Sequence, residues 1–161
     1  MNLNFINQLD KTEFISSFEN IFEESKFITE IVETKRPFRN KIHIIETFLM
    51  IFDNLEKDIK INIIKKHPDL ADKVEINKGL SKLSDDEQSK SGLKDCTEDE
   101  FNMFQELNYS FKNKFNIPYI LAVRNKNKNE IIEDFKNRLN SDDIEKEKEI
   151  SINQVREIAK L

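Results

Sequence analysis

The chain has 161 residues, enough for one domain, with 26 Lys and Arg against 31 Asp and Glu and a formal net charge of −5. The charges are mixed, and the densest basic runs, Lys65-Lys66 and Arg124 to Lys128, are short, so the basic stripe of a nucleic-acid binder is missing. No apolar run reaches the roughly 20 residues of a membrane helix, and neither a membrane partner nor a cleaved secretory leader is expected.

Two Gly, three Pro, 13 Phe and no Trp favour long amphipathic helices with phenylalanine-rich interiors. Asp10 with Glu13 can form a capping box that opens a helix whose stripe is Phe14, Ile15, Phe18 and Phe22. Phe27, Ile28, Ile31 and Val32 predict a short second helix stopping before Arg36-Pro37-Phe38. Residues 42 to 52 carry Ile44, Ile45, Phe48, Leu49 and Phe52 at helical spacing, with His43 beside that stripe as a peripheral packing residue. Residues 55 to 66 form a helix that ends at His67-Pro68-Asp69-Leu70-Ala71. Pro68 lacks a backbone donor and biases His67 away from helical dihedrals, so the imidazole sits at a corner. Histidine suits proton transfer near neutrality, yet a cation at a helix C-terminus also favours the helix dipole, and residue types alone leave both readings open.

Residues 69 to 83 have no clean period and read as a loop; residues 84 to 91 read as a short helix capped by Ser84 and stopped by Gly92. Thr97 and Glu100 form another capping box, opening a helix with the stripe Phe101, Phe104, Leu107, Asn108, Phe111 and Phe115. Asn108 on that apolar face is expected to bond buried backbone. Asn116 tolerates the left-handed dihedrals that end a helix. Residues 117 to 123 are apolar and interrupted by Pro118, an extended connector crossing the core. Residues 129 to 140, with Ile131, Ile132, Phe135 and Leu139 inward, and residues 141 to 160 supply two final helices. The expected architecture is all-α: a single compact domain over 1–161, of about eight helices.

Cys96 is the only cysteine, which rules out an internal disulfide and a thiolate metal cluster, and the two histidines are too few for the usual His-rich zinc sites. Asp95 and Glu98 beside Cys96 should raise its pKa, leaving a structural thiol. No glycine-rich phosphate loop exists. Neither a metal nor a cofactor is expected.

Taken in order, Glu24-Ser25, Arg36-Pro37-Phe38, His67-Pro68-Asp69-Leu70-Ala71, Ser84-Asp85-Asp86-Glu87-Gln88, Ser91-Gly92-Leu93, Leu107-Asn108 with Tyr109 and Phe111, and Phe115-Asn116-Ile117-Pro118-Tyr119-Ile120 form a specific series. It resembles the 2-oxo-4-hydroxy-4-carboxy-5-ureidoimidazoline (OHCU) decarboxylase family, from about Phe14 to Ala159. The resemblance implies a cofactor-independent carboxy-lyase of urate degradation that converts OHCU to (S)-allantoin and carbon dioxide. It implies His67 as proton donor and Glu87 as second catalytic group. Substrate contacts would come from Pro68, from Ser84, Asp85, Asp86, Glu87 and Gln88, and from Tyr119, Ile120, Leu121, Ala122 and Val123 through backbone groups. Ser84 and Glu87 are equally spaced as a capping box, a helix-start role that needs no ligand.

Three departures from the family pattern stand out. Asp72 replaces a usual Gly, Ser25-Lys26-Phe27 replaces Ser-Pro-Trp, and Phe115-Asn116-Ile117-Pro118-Tyr119 replaces Phe-Gly-Phe-Pro-Phe. Family members commonly continue with Arg-Leu after the equivalent of Leu161; if that arginine holds the substrate carboxylate, Arg36 or Arg124 would have to substitute. Ala159-Lys160-Leu161 also resembles the peroxisomal import tripeptide, implying an import receptor as partner and a peroxisomal location, with the cytoplasm as alternative. The same residues also complete an apolar helix stripe. A homodimer is implied by resemblance alone. The rival reading from another class is a non-catalytic helical interaction module, or a catalytically inactive relative, with residues 117 to 123 as a partner groove.

Overall fold

The computed structural model describes residues 2–70, 93 and 95–161. Among them are eight α-helices and no strand: α1 (Leu3–Gln8), α2 (Lys11–Phe18), α3 (Lys26–Glu33), α4 (Lys41–Asp53), α5 (Lys57–Lys66), α6 (Glu98–Phe115), α7 (Lys128–Leu139) and α8 (Ile144–Ile158). The all-α expectation holds, and residues 117–123 form neither helix nor strand. The short helix expected over residues 84–91 and most of the loop expected over 69–83 lie outside the described residues. None of the eight helices is long and apolar enough to cross a membrane.

Local chemistry explains where the helices begin. Asp10 and Glu13 close the capping box of α2, and Thr97 and Glu100 do the same for α6. Asn127 and Glu130 form a third box, at α7. A satisfied N-cap of this kind is worth about 1 kcal/mol. Asn116 ends α6 at φ 54 and ψ 31, in the left-handed region. That conformation explains how an asparagine stands where the family pattern has glycine, since Asn is among the few other residues that enter this region readily.

Contacts gather the chain into two compact units, Met1–Lys66 with Val155–Leu161, and His67–Gln154. In the first, α2 packs on α3 and α3 on α4. Phenylalanine rings fill its interior: Phe22 stacks on Phe52 at 4.7 Å between centroids, and Phe14 meets Phe18 at 4.8 Å. Phe22 is buried although it lies beyond the end of α2, so the predicted stripe outruns the helix. On α3, Ile28, Thr29 and Val32 are buried while Phe27 and Ile31 are partly exposed, which narrows the predicted face. Sequence periodicity did not reveal α1. It is pinned by Asn7, whose Nδ2 donates to the Phe38 carbonyl (2.9 Å) and whose Oδ1 accepts from the Phe38 N–H (2.8 Å).

In the second unit α6 packs on α7 around an aromatic cluster. Phe111 meets Phe115 at 4.5 Å, and Tyr119 from the connector stacks on Phe135 at 3.6 Å. Phe104, Phe111, Phe115, Tyr119 and Phe135 are almost fully buried. A buried aromatic pair contributes about 0.5–1.5 kcal/mol beyond its area, so this cluster fixes the path of residues 117–121.

Candidate active site

The helix α5 stops at Lys66 because Pro68 follows, and His67 then stands half-buried at the corner. Pro68 is likewise half-buried, and Leu70 anchors the corner by full burial. Asp69 fastens it to α6: its Oδ2 accepts from Lys112 Nζ at 2.6 Å. Sequence reading left Asp69 without a role, because its partner is 43 residues away.

The second part of the site is the connector. Tyr119 points its side chain into the core, where its hydroxyl donates to Asp134 and its ring lies under the Arg138 guanidinium at 4.8 Å. Burial, reinforced by the Asp134 carboxylate, pushes the Tyr119 phenol far above its ordinary pKa, so it stays protonated. Its side chain is thus committed to the core, and the residue as a whole is fully buried. Ile120 and Leu121 are buried, whereas Ala122 and Val123 are half-buried and reachable.

Two side chains hold this backbone from behind. Arg138 Nη1 donates to the Ile120 carbonyl at 2.8 Å, and the Ala122 N–H donates to Gln154 Oε1 at 2.9 Å. Arg138 is itself fixed by Glu147 (2.9 Å) and by the Ser151 hydroxyl (3.0 Å), all three being buried. The two ties thus engage the residues on either side of Leu121. The intervening Leu121 N–H and carbonyl have no partner among the described residues, although the residue is buried.

Neither Arg138 nor Gln154 was singled out from sequence. For Arg138 the signal was present: it recurs with Ile131 and Phe135 at helical spacing on the buried face of α7. A charge on such a face needs partners, and here it finds a carboxylate and a carbonyl.

Ser84, Asp85, Asp86, Glu87 and Gln88 lie outside the described residues, so the expected convergence of Glu87 with His67 does too. His67 and residues 119–123 belong to the same unit. Among the described residues no group of His, Cys, Asp and Glu could hold a metal ion. An open recess on α7, lined by Asn129, Ile132, Glu133, Lys136 and Asn137, includes none of the predicted site residues.

The matching model is that of the OHCU decarboxylase family, over residues 7–161. The chain belongs to the OHCU decarboxylase family. An OHCU decarboxylase of Xenopus laevis is 28% identical over 161 residues, spanning all of this chain and 91% of that protein. A putative OHCU decarboxylase of Homo sapiens is 33% identical over 125 residues, 77% of this chain and 72% of that one. A uric acid degradation bifunctional protein of a Bacillus species is 32% identical over 139 residues; the match takes 86% of this chain but only 27% of that protein. In three dimensions the chain resembles an (S)-allantoin synthase with a TM-score of 0.74 at 21% identity, covering 99% of this chain and 51% of the other. It also resembles an OHCU decarboxylase crystallised with (S)-allantoin, with a TM-score of 0.68 at 17% identity, covering 89% and 91%. These likenesses show the fold of the family.

Three other expectations meet the structure here. Arg36 donates to the Leu9 carbonyl and to Glu33 and lies over the Phe14 ring, so it secures the first unit. Asn108 is buried, but its Oδ1 has no partner, contrary to the expected bond to backbone. Cys96 is buried with its thiol pKa raised first by burial, then by Glu100 and Asp95 against the opposing pull of Lys128. The acidic neighbours that raise it are thus Asp95, as expected, and Glu100 in place of Glu98.

Proposed function

We propose that this chain decarboxylates OHCU to (S)-allantoin and carbon dioxide, with His67 delivering the proton and the backbone of residues 119–123 binding the ring. The substrate carbon bears both a carboxylate and a hydroxyl and adjoins a C=N bond. When the bond to the carboxylate breaks, its electron pair moves into the C=N, and the ring becomes enol-like. That built-in electron sink explains why neither pyridoxal nor thiamine need be invoked. Protonation of the ring carbon on one face, with loss of the hydroxyl proton as the ring carbonyl forms, then gives the (S) product.

The protein's task is to hold an anionic ring, deliver a proton and keep solvent protons off the other face. Positioned acid–base assistance contributes about 10² to 10⁴ in rate. The half-buried imidazole at position 67 fits this role. The observation that carries the binding half is Leu121, whose paired backbone donor and acceptor match the alternating N–H and C=O groups of a ureidoimidazoline. Pro68, Ser84, Asp85, Asp86, Glu87 and Gln88 complete the proposed set by family resemblance, with Glu87 setting the protonation of the histidine or the substrate hydroxyl.

The test generates OHCU in situ from urate with urate oxidase and hydroxyisourate hydrolase, and follows optical rotation. Native protein should accelerate formation of one enantiomer, and His67→Ala should remove that acceleration. Racemic allantoin at the background rate with native protein would favour the interaction module instead. Import through Ala159-Lys160-Leu161 and pairing of two copies are separate proposals, tested by microscopy of a Leu161→Asp variant and by light scattering.

A further inference from the structure

Asn108 is a polar residue on the apolar face of α6, one turn from the buried Phe104 and Phe111 and itself only 6% exposed. An amide buried there is costly unless it is hydrogen-bonded, yet its Oδ1 has no partner. Among the described residues of the same unit, one other buried side-chain oxygen shares that condition: Oδ1 of Asp69, whose side chain is 15% exposed. The two belong to one place. Asp69 Oδ2 takes its hydrogen bond from Lys112, four residues after Asn108 on α6. Residues four apart share a helix face, and side chains lean back toward the N-terminus, so the Lys112 chain runs over the turn that carries Asn108. The second oxygen of the Asp69 carboxylate is thereby brought to Asn108. Two oxygens can only accept, but the ends of a carboxamide have the same shape, and half a turn about its last bond puts Nδ2 where Oδ1 stands.

We infer that Asn108 is a positioning residue for His67: its Nδ2 donates to Asp69 Oδ1, so that α6 grips the corner carboxylate by both oxygens. A carboxylate held at one oxygen pivots about that bond; held at both, its plane is fixed. Asp69 is joined to His67 through Pro68, whose ring fixes φ, so the setting of the carboxylate carries to the imidazole. This rests on the reading of His67 as the proton donor. It also gives Leu107-Asn108, part of the ordered motif series, a task beyond packing.

The experiment measures kcat and KM, each with a thermal melt, for Asn108→Leu, Asn108→Asp, the double variant Asn108→Asp with Asp69→Asn, and His67→Ala. Asn108→Leu fills the apolar face without a donor and should melt no lower than the native chain. Its kcat should still fall about tenfold while KM stays within about twofold, because the imidazole shifts and the groups that bind the ring do not. Asn108→Asp sets a second carboxylate against Asp69 and should lose kcat as well. Adding Asp69→Asn returns a donor to the pair, keeps an acceptor for Lys112, and should restore kcat to within about threefold of native. Native kcat in Asn108→Leu, or no recovery in the double variant, would overturn the inference. If His67→Ala stays active, the proton-donor reading fails and this inference with it; if His67→Ala is inactive while Asn108→Leu turns over normally, only the role of Asn108 falls.

Discussion

Arg138 Nη1 donates to the Ile120 carbonyl at 2.8 Å, joining a buried cation on α7 to the backbone of the segment that lines the proposed site. The same guanidinium pairs with Glu147 at 2.9 Å, and the two side chains are only 8% and 2% exposed. Ordering the site thus depends on a charge pair that the helices α7 and α8 bury together.

Arg138→Met should cost about 3–5 kcal/mol in urea unfolding, because it strands the Glu147 carboxylate away from water. Adding Glu147→Leu should recover most of that loss, since the stranded charge is then gone. Activity should not recover in the double variant, as the Ile120 carbonyl still lacks its donor.

Lys112→Ala separates stability from alignment at the histidine corner. The Lys112 side chain is 49% exposed in its bond to Asp69, so stability should change by no more than about 1 kcal/mol. Turnover should fall, by up to about 10²-fold if the imidazole shifts by an ångström, because proton delivery depends on its position. Steady-state kinetics beside a melt would check both expectations.

Tyr119→Phe tests whether that residue serves the site through backbone alone. The stack on Phe135 survives the change and only the bond to Asp134 is lost, at a cost of about 1 kcal/mol. Both kcat and KM should remain near native. A large loss of kcat would give the hydroxyl a chemical role.

The bridge from Lys128 Nζ to Glu100 (2.6 Å) predicts a pH dependence of stability. The hydrogen bond from Lys128, followed by that from the Thr97 N–H, lowers the Glu100 pKa from 4.5. An acid with a lowered folded pKa contributes stability above its unfolded value and loses it as pH falls through the folded value. Lys128 is raised from 10.5, chiefly by Glu100, so its share is present below that value and lost as pH rises through the folded one. The difference in stability between native protein and Glu100→Gln should therefore be constant across neutral pH and vanish at both extremes, measured as denaturation midpoints.

The capping boxes at Asp10 and Thr97, the stop at Pro68 and the left-handed end at Asn116 were all legible in sequence. Each depends on residues within one or two turns. The boundaries were less so: α1 was missed because Asn7 finds its partner 31 residues away, and Phe22 looked helical because burial, the property that periodicity reports, continues past the end of α2. The site divided in the same way. His67 and residues 119–123 were proposed through a family pattern, whereas the ties of Arg138 and Gln154 to the connector were not foreseen, since an arginine or glutamine on a helix looks solvated until its partner is seen.

Sequence by itself determined the helical class, the capped starts of α2 and α6, the corner that displays His67 and the family to which the chain belongs, because local sterics, hydrogen-bond geometry and an ordered motif series are properties of neighbouring residues. Tertiary structure alone decided which groups of the connector are already spent, the Ile120 carbonyl on Arg138 and the Ala122 N–H on Gln154, while Leu121 between them finds no backbone partner among the described residues. A backbone amide has the same chemistry in every residue; only the side chains that fold brings against it determine whether it is free for a substrate.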